Sequence, residues 1–342
     1  MPDGRGATAG REGGTDDRPS RGLLALQTEI LEAVATGTPL QEVAALLCRR
    51  AEAMAPSAIC TIVGIDEHGR LDPIAAPSLP DAYSEAIAGV PVGPRSGSCG
   101  TAAFLGRPVE VRDIETDPLW TDYAAIGLAI GLRACWSSPI FARDGRVVAT
   151  FAFYYRTRRG PGVIERRIVD TCVHLCAIAL AHAEAQRRNY ALAHFDQLTG
   201  LPNRRRFNAV LDARLAAADP SFGLLLVDID HLKAINDTMG HVVGDAVIQE
   251  VARRIRDAAP DALAFRLAGD EFALLVEPCP DHAALAAVST AVLAAARAPF
   301  ACEGGVLVPQ VTAGGVVRGV DGTEAETLSQ NADFALHHAK EV

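Results

Sequence analysis

Leu224-Leu225-Leu226-Val227-Asp228-Ile229-Asp230 is a continuous apolar run that ends in two carboxylates. Such a run is typical of a central strand buried on both faces, and its end carries the acidic groups to one edge of a sheet. A second acidic pair, Asp270-Glu271, lies at the tip of the hairpin that follows the next strand. If the two strands are neighbours, Asp228 and Asp270 converge at that edge.

In a magnesium site the protein usually supplies one or two carboxylate ligands, and the other ligands are water and substrate phosphates. The glycine before the second pair, Gly269, has no side chain and lets a phosphate approach the backbone closely. A solvated turn with incidental acids explains poorly why a buried apolar strand ends in Asp-x-Asp. The pattern therefore predicts metal-assisted phosphoryl transfer.

The segments around these strands alternate between helical and strand patterns, which predicts a ferredoxin-like, palm-type α+β order. The predicted helices are 203–217, 241–257, 282–297 and 324–340, and the predicted strands are 224–230, 262–267, 272–276 and 306–317.

The N-terminal half predicts a second α+β domain of the kind found in sensors. Thr38-Pro39-Leu40-Gln41 has the pattern of a capping box, which begins the second of two amphipathic helices. Asp144-Gly145 predicts the turn of a hairpin. Residues 1–21 predict a disordered tail, because a segment so rich in glycine and charge cannot offset its ordering entropy. The predicted strands are 59–65, 109–112, 134–141 and 147–155.

From Val163 to Phe195 the pattern predicts one long signalling helix, with a stripe of Ile168, Cys172, Leu175 and Ala179. This 4,3,4 spacing suits pairing with a second copy of the chain. It suits packing on the helix's own domain equally well, and both interpretations stay open here. The polar segment 186–195 predicts a helical linker.

Charge and composition exclude some classes of protein. The formal net charge of -10 over 342 residues argues against a general affinity for nucleic acid or for an anionic membrane. The longest uncharged apolar stretch, 283–296, is too short to span a bilayer, and no signal segment opens the chain. Eight scattered cysteines without a Cys-x-x-Cys pair predict reduced thiols, and together these features predict a cytoplasmic protein.

The acidic strand belongs to a set of four ordered motifs. The set resembles the GGDEF family of diguanylate cyclases over about residues 190 to 342, and four motifs at matching spacing make a chance resemblance very rare. The resemblance implies an enzyme that condenses two GTP into cyclic di-GMP and pyrophosphate. The motifs are Asp196-Gln197-Leu198-Thr199-Gly200-Leu201-Pro202-Asn203-Arg204-Arg205, then Asp228-Ile229-Asp230-His231-Leu232-Lys233-Ala234-Ile235-Asn236-Asp237, then Gly240-His241 with Gly244-Asp245, then Arg266-Leu267-Ala268-Gly269-Asp270-Glu271-Phe272.

The resemblance also implies the metal ligands. Asp228, the carbonyl of Ile229 and Asp270 would bind two Mg²⁺ per active site. Glu271 would complete the acidic signature, and Gly269 would belong to the same catalytic turn.

The nucleotide contacts follow from the same resemblance. Asn236 and Asp245 would bind guanine, since a carboxylate accepts from its N1 and N2 donors and an amide serves both kinds of edge. Lys233 and Lys340 would neutralise triphosphate oxygens, and Ala268 would face the nucleotide in the signature turn. Because each domain of the family holds one GTP, the resemblance implies a homodimer.

Three departures from the family pattern bear on activity. The first glycine of the signature is Ala268 here, and if that position needs a positive φ, the added Cβ costs on the order of 1 kcal/mol. The chain stops two residues after Lys340, where family members continue through a Gly-Arg-Asn segment. These two features predict either a truncated chain or an incomplete domain. They keep open an alternative: a non-catalytic GTP-binding regulator that precedes a cyclic di-GMP phosphodiesterase domain. The family's Arg-x-x-Asp product site would begin at Ala259, so we also predict no submicromolar product inhibition through this site.

A second resemblance covers about residues 22 to 185. Gly97-Ser98-Cys99-Gly100-Thr101-Ala102-Ala103, with Asp117-Pro118-Leu119-Trp120 and Trp136-Ser137-Ser138-Pro139-Ile140, resembles the GAF domains of bacterial sensors. It implies an unknown small-molecule signal. Cys99 is predicted to be a buried structural thiol rather than a sensor or chromophore site. An aromatic set fits either a ligand pocket or a core: Trp120, Tyr123, Trp136 and Phe153. The predicted order is a tail (1–21), a GAF domain (22–185), a linker (186–195) and a GGDEF domain (196–342).

Overall fold

The computed structural model describes residues 17–217, 221–302 and 305–341, the first four of them as backbone only. The chain divides after Gln186 into two compact units. Residues 17–21 of the predicted tail belong to the first helix, and residues 1–16 lie outside the described residues.

The N-terminal unit is built on a five-stranded antiparallel sheet in the order β2-β1-β5-β4-β3. One sheet face packs against α1, α2 and α6, and the other against α3, α4 and α5. The elements are α1 (Asp17–Ala35), α2 (Leu40–Met54), β1 (Ala58–Ile65), β2 (Leu71–Ala75), α3 (Asp81–Ile87), α4 (Gly97–Leu105), β3 (Val109–Val111), α5 (Ala124–Ala129), β4 (Ala134–Phe141), β5 (Val147–Tyr155) and α6 (Val163–His194).

Most of the predicted N-terminal elements are present. The β4–β5 hairpin has the predicted bounds and turn. The prediction of a capping box was wrong, because Pro39 is the N-cap of α2 and no side chain caps this end of the helix. Strand β2 was missed, because Pro73 interrupts its apolar pattern while pairing with β1 still forms.

Helix α6 settles the two interpretations of its stripe. Ile168, Cys172, Leu175 and Ala179 are all buried in the core of the N-terminal unit, against the sheet and α2. This part of the stripe therefore packs on its own unit and does not form a seam with a second copy. By length and composition α6 could also cross a membrane, although a third of its most apolar window is buried inside the protein.

The C-terminal unit has a four-stranded antiparallel sheet in the order β11-β6-β8-β7, the ferredoxin-like arrangement that was predicted. One face packs against α8, α9 and α10, and the other against α7 and α11. The elements are α7 (Arg204–Ala216), β6 (Gly223–Ile229), α8 (Leu232–Met239), α9 (His241–Ala258), β7 (Leu263–Ala268), β8 (Glu271–Val276), α10 (His282–Ala296), β9 (Phe300–Cys302), β10 (Gly305–Leu307), β11 (Val311–Val317) and α11 (Ala325–Glu341).

Two features of this unit differ from the prediction. The single strand expected at 306–317 is divided by Pro309, and its first part forms a small hairpin with β9. Strand β6 lies between β11 and β8 and does not pair with the next strand along the chain, β7, because the β7–β8 hairpin inserts its second strand beside β6. The acidic residues still meet, since the hairpin tip returns to the end of β6.

Candidate active site

Strand β6 carries Asp228 to the edge of the sheet, where its side chain is only 10% exposed. Directly opposite it lie Glu271 on β8 and Thr312 on β11. Asp230 lies just beyond the strand, and its Oδ2 accepts a hydrogen bond of 2.7 Å from Thr312 Oγ1. Asp230 is therefore held by β11, and Asp228 is the carboxylate that the strand itself presents.

The signature turn brings Asp270 to the same edge. The N–H of Ile229 donates to the carbonyl of Asp270 at 3.1 Å, which ties the turn to the end of β6. Gly269 has a φ of +43°, the region that favours glycine. Ala268 is the last residue of β7, and its φ is not positive; within the described ranges, His231 is the one non-glycine residue with a positive φ. The penalty considered for Ala268 therefore does not arise.

Lys340 lies over Asp228 from the last turn of α11. Its Nζ is 2.6 Å from Asp228 Oδ1, and the lysine side chain is 36% exposed. Burial raises the pKa of Asp228 above its ordinary value, the carboxylates of Asp270 and Asp230 raise it further, and the ammonium of Lys340 opposes both. The edge thus concentrates negative charge that a cation would stabilise.

Two arginines hold the acidic turn, and the sequence interpretation assigned them no role. Arg266 donates to the carbonyl of Gly269 through Nε and Nη2, at 3.1 and 2.8 Å, and its Nη1 is 2.8 Å from Asp196 Oδ1. Arg204 Nη2 is 3.0 Å from Glu271 Oε2. Both arginines lie inside the quoted motifs. Their position close to the acidic residues was the sequence feature that could have indicated this role.

Asp196 completes this support. Burial raises the pKa of Asp196, but hydrogen bonds from Arg266 and Thr199 outweigh that effect, so the pKa lies below its ordinary value. The carboxylate also accepts from the N–H and Oγ1 of Thr199 at 2.9 and 2.8 Å. The motif before α7 and the signature turn are therefore one connected structure.

The predicted guanine contacts lie on α8 and α9. Asn236 packs against Gly244, where a Cβ would come within 2.9 Å of Asn236 Cγ, so the glycine makes room for the amide beside Asp245. Asp245 and Lys233 are exposed. Within the described chain these three side chains make no direct hydrogen bond to Asp228 or Asp270. The structure thus brings the predicted metal residues to one sheet edge and leaves the predicted guanine-binding residues on a separate helix pair, α8 and α9.

The donor set at the edge suits Mg²⁺. Asp228 and Asp270 supply hard carboxylate oxygens, and Mg²⁺ is commonly bound by one or two carboxylates with phosphates and water. A cationic group, the Lys340 ammonium, already pairs with Asp228. Among the described residues, no cluster of three or more His, Cys, Asp or Glu side chains could hold a metal.

The N-terminal unit contains a small pocket of about 30 Å³ beside α4. Trp120 and Tyr123 line it, whereas Trp136 and Phe153 do not: they face the opposite core. Cys99 also lines the pocket and is buried as predicted, with Sγ 3.4 Å from Tyr154 Oη. All eight cysteines are free thiols.

Comparison with known proteins gives two family matches. Residues 193–342 match the GGDEF domain of diguanylate cyclases, and residues 37–181 match the GAF domain.

The curated relatives have several described roles. The methyl sulfide methyltransferase-associated sensor of Methanosarcina acetivorans is 39% identical over 172 residues, which are 50% of this chain. The cyclic di-GMP phosphodiesterase NbdA of Pseudomonas aeruginosa is 31% identical over 72% of this chain, and diguanylate cyclase TpbB of the same species is 34% identical over 46%. The chain spans 17%, 30% and 38% of the lengths of these three relatives.

Among solved structures, the GGDEF domain of TpbB is 33% identical, with a TM-score of 0.42, over 43% of this chain and 89% of that domain. Two of the curated relatives, NbdA and TpbB, are described by their activity on cyclic di-GMP. The chain consists of a GAF domain at residues 37–181 followed by a GGDEF domain of the diguanylate cyclase family at residues 193–342.

Proposed function

We propose that the chain is a diguanylate cyclase that condenses two GTP into cyclic di-GMP and pyrophosphate under the control of its GAF domain. The supporting observation is the approach of Asp228 and Asp270 at one sheet edge, inside four ordered family motifs. Asp228, the Ile229 carbonyl and Asp270 would hold two Mg²⁺. These ions would stabilise the charge that develops on the α-phosphate as a 3′-hydroxyl attacks it.

The side chains around the edge would then position the nucleotide. Lys233 and Lys340 would neutralise triphosphate oxygens, and Asn236 and Asp245 would bind the guanine edge. The exposed turn that contains Ala268 and Gly269 offers phosphate a backbone without a bulky side chain. Arg266 holds that turn in place, so the chain's contribution is mainly orientation and charge.

One GTP per domain requires two domains to face each other, so we propose a homodimer. A small molecule of unknown identity would act through the GAF domain. The negative net charge and the free thiols support a cytoplasmic protein that neither binds nucleic acid nor inserts into a membrane.

The test is incubation of the full chain with GTP and Mg²⁺, followed by nucleotide chromatography. Asp228→Asn and Asp270→Asn are expected to lose at least 99% of turnover, because each removes a charged ligand while retaining the side-chain size. Asp261→Asn, an exposed acid after α9, is the matched control and keeps its rate. A tenth or more of wild-type rate in either site variant, a barrier change of about 1.4 kcal/mol or less, contradicts the assignment.

A second candidate is a GTP-binding regulator without cyclase activity. It is favoured by the 31% identity to NbdA, which is described as a cyclic di-GMP phosphodiesterase. Saturable GTP binding with no cyclic product from a dimeric preparation would support this candidate.

A further inference from the structure

The pair between Lys340 and Asp228 depends on a close approach of α11 to the sheet. At Gly314 on β11, an added Cβ would come within 2.6 Å of the Ala335 carbonyl carbon and closer still to backbone atoms of Leu336. The helix backbone therefore rests directly on the strand at this glycine. This contact fixes the height of α11 above the sheet.

The spacing beyond this contact brings the two charges together. Gly314 is paired with Leu226, and Asp228 lies two residues further along β6, about 7 Å away. Lys340 lies four residues beyond Leu336 on α11, about 6 Å along the helix axis. The matched distances place Nζ at 2.6 Å from Asp228 Oδ1. The pairing is thus built into the helix–sheet contact and is not a chance meeting of surface side chains.

We propose that the Lys340 ammonium holds the metal position on Asp228 until nucleotide arrives, and then transfers to the triphosphate. This inference rests on the proposed function, since it takes Asp228 as a metal ligand. Without nucleotide, a divalent cation must displace Lys340 to reach Oδ1. With nucleotide, the phosphates offer the ammonium a new partner, so metal and nucleotide bind together.

The local charges explain why Asp228 needs a cation beside it when no metal is bound. Asp228 is mostly buried beside Asp270 and Asp230, and an unpaired buried carboxylate is costly. The other lysine of the chain, Lys233, is exposed and forms no ion pair within the described ranges. Lys340 alone among the two lysines can therefore compete with a metal for Asp228.

The experiment measures Mn²⁺ binding to the full chain without nucleotide, from the loss of the free-ion signal in electron paramagnetic resonance. Lys340→Gln is expected to bind Mn²⁺ on the order of tenfold more tightly than wild type, because a charge-assisted competitor is removed. Lys340→Arg retains a cation and should bind as weakly as wild type. Lys233→Gln, which removes the same charge from an unpaired position, should change the affinity less than twofold.

A second readout follows the ammonium itself. The chain contains two lysines, so ¹³C-lysine labelling gives two Cε resonances. The Lys340 resonance should move on addition of Mg²⁺ alone at high concentration, and it should be moved already in Asp228→Asn without metal.

Equal Mn²⁺ affinity of wild type and Lys340→Gln would overturn the inference. An equal gain in Lys233→Gln would also overturn it, since bulk charge would then be the cause. Cyclic di-GMP formation is measured on the same preparations. If the wild-type chain forms cyclic di-GMP but Lys340 does not compete with Mn²⁺, the inference fails and the proposed function stands. If Lys340 competes with Mn²⁺ but no cyclic di-GMP forms, the proposed cyclase activity fails and the inference stands.

Discussion

Replacing Gly314 by alanine tests whether the contact between α11 and β11 sets the geometry of the acidic edge. The new Cβ would come within 2.6 Å of the Ala335 carbonyl carbon, whereas carbon atoms in contact lie about 3.5 to 4.0 Å apart. Helix α11 must retreat by about 1 Å or more, because the obstructing atoms are backbone. That shift would lengthen the 2.6 Å pair between Lys340 and Asp228 beyond hydrogen-bond range.

Overpacking of this kind costs about 3 kcal/mol, and the lower entropy of the unfolded alanine chain returns about 0.4 to 1 kcal/mol. We expect a net loss of about 2 to 3 kcal/mol from the C-terminal unit. The matched control is Gly315→Ala, whose Cβ meets the Leu285 side chain at 2.8 Å on the opposite sheet face. A flexible side chain can move, so the control should lose about 1 kcal/mol or less.

The two tryptophans make the assay specific, because Trp120 and Trp136 both lie in the N-terminal unit. In urea, tryptophan fluorescence follows that unit, while the remaining change in far-ultraviolet circular dichroism follows the other. Gly314→Ala should lower the second midpoint by about 1 to 1.5 M urea, for a slope of about 2 kcal/mol/M, and leave the first unchanged. A midpoint no lower than that of Gly315→Ala would refute the reasoning.

Three further predictions concern the turn, the base and the product. Arg266→Ala should destabilise the C-terminal unit by about 2 kcal/mol at pH 7, measured by the same urea assay. Because the fold lowers the pKa of Asp196, the part of this contribution that comes from the Arg266–Asp196 pair is present above about pH 4 and is lost as pH falls further. The difference between the wild-type and Arg266→Ala midpoints should therefore shrink in acid to the part that the hydrogen bonds to Gly269 supply. A difference independent of pH would contradict that role. Equimolar ATP should barely slow GTP turnover, since adenine cannot pair with both Asn236 and Asp245, and comparable inhibition by ATP would reject these contacts. Added cyclic di-GMP should not inhibit initial rates at submicromolar concentration, because Ala259 supplies no guanidinium for its phosphates, and inhibition lost on Arg256→Ala would reveal a displaced product site.

The sequence predicted the acidic edge well because its signals are local and strong. A continuous apolar run of this length is typical of a central strand, and Asp228 lies at the end of that strand whichever strand is its neighbour. The sequence left open which strand lies beside β6, since that depends on which strand of the β7–β8 hairpin inserts there. Helix α8 was not predicted: it has eight residues, and the quoted motif that contains it gives no separate helical signal.

Other features could not follow from one-dimensional patterns. The stripe on α6 is equally periodic whether it meets its own sheet or a second copy, and only the fold names the partner. The pair between Lys340 and Asp228 joins residues 112 positions apart, so no spacing rule connects them. Arg204 and Arg266 stand in the quoted motifs, but the sequence does not show their contacts. The bonds to Glu271 and Gly269 depend on where the β7–β8 hairpin places the turn.

The backbone at Ala268 also bears on how signature motifs should be scored. A search that demands two consecutive glycines would discard this chain as degenerate, although of these two positions only Gly269 has the positive φ that disfavours a side chain. In terms of tolerated substitutions, the first position accepts a Cβ without backbone strain, whereas a Cβ at the second costs on the order of 1 kcal/mol. Family members could instead be classified by the φ angle that each signature position requires. Chains with Ala-Gly at these two positions would then be tested for activity and not set aside as inactive.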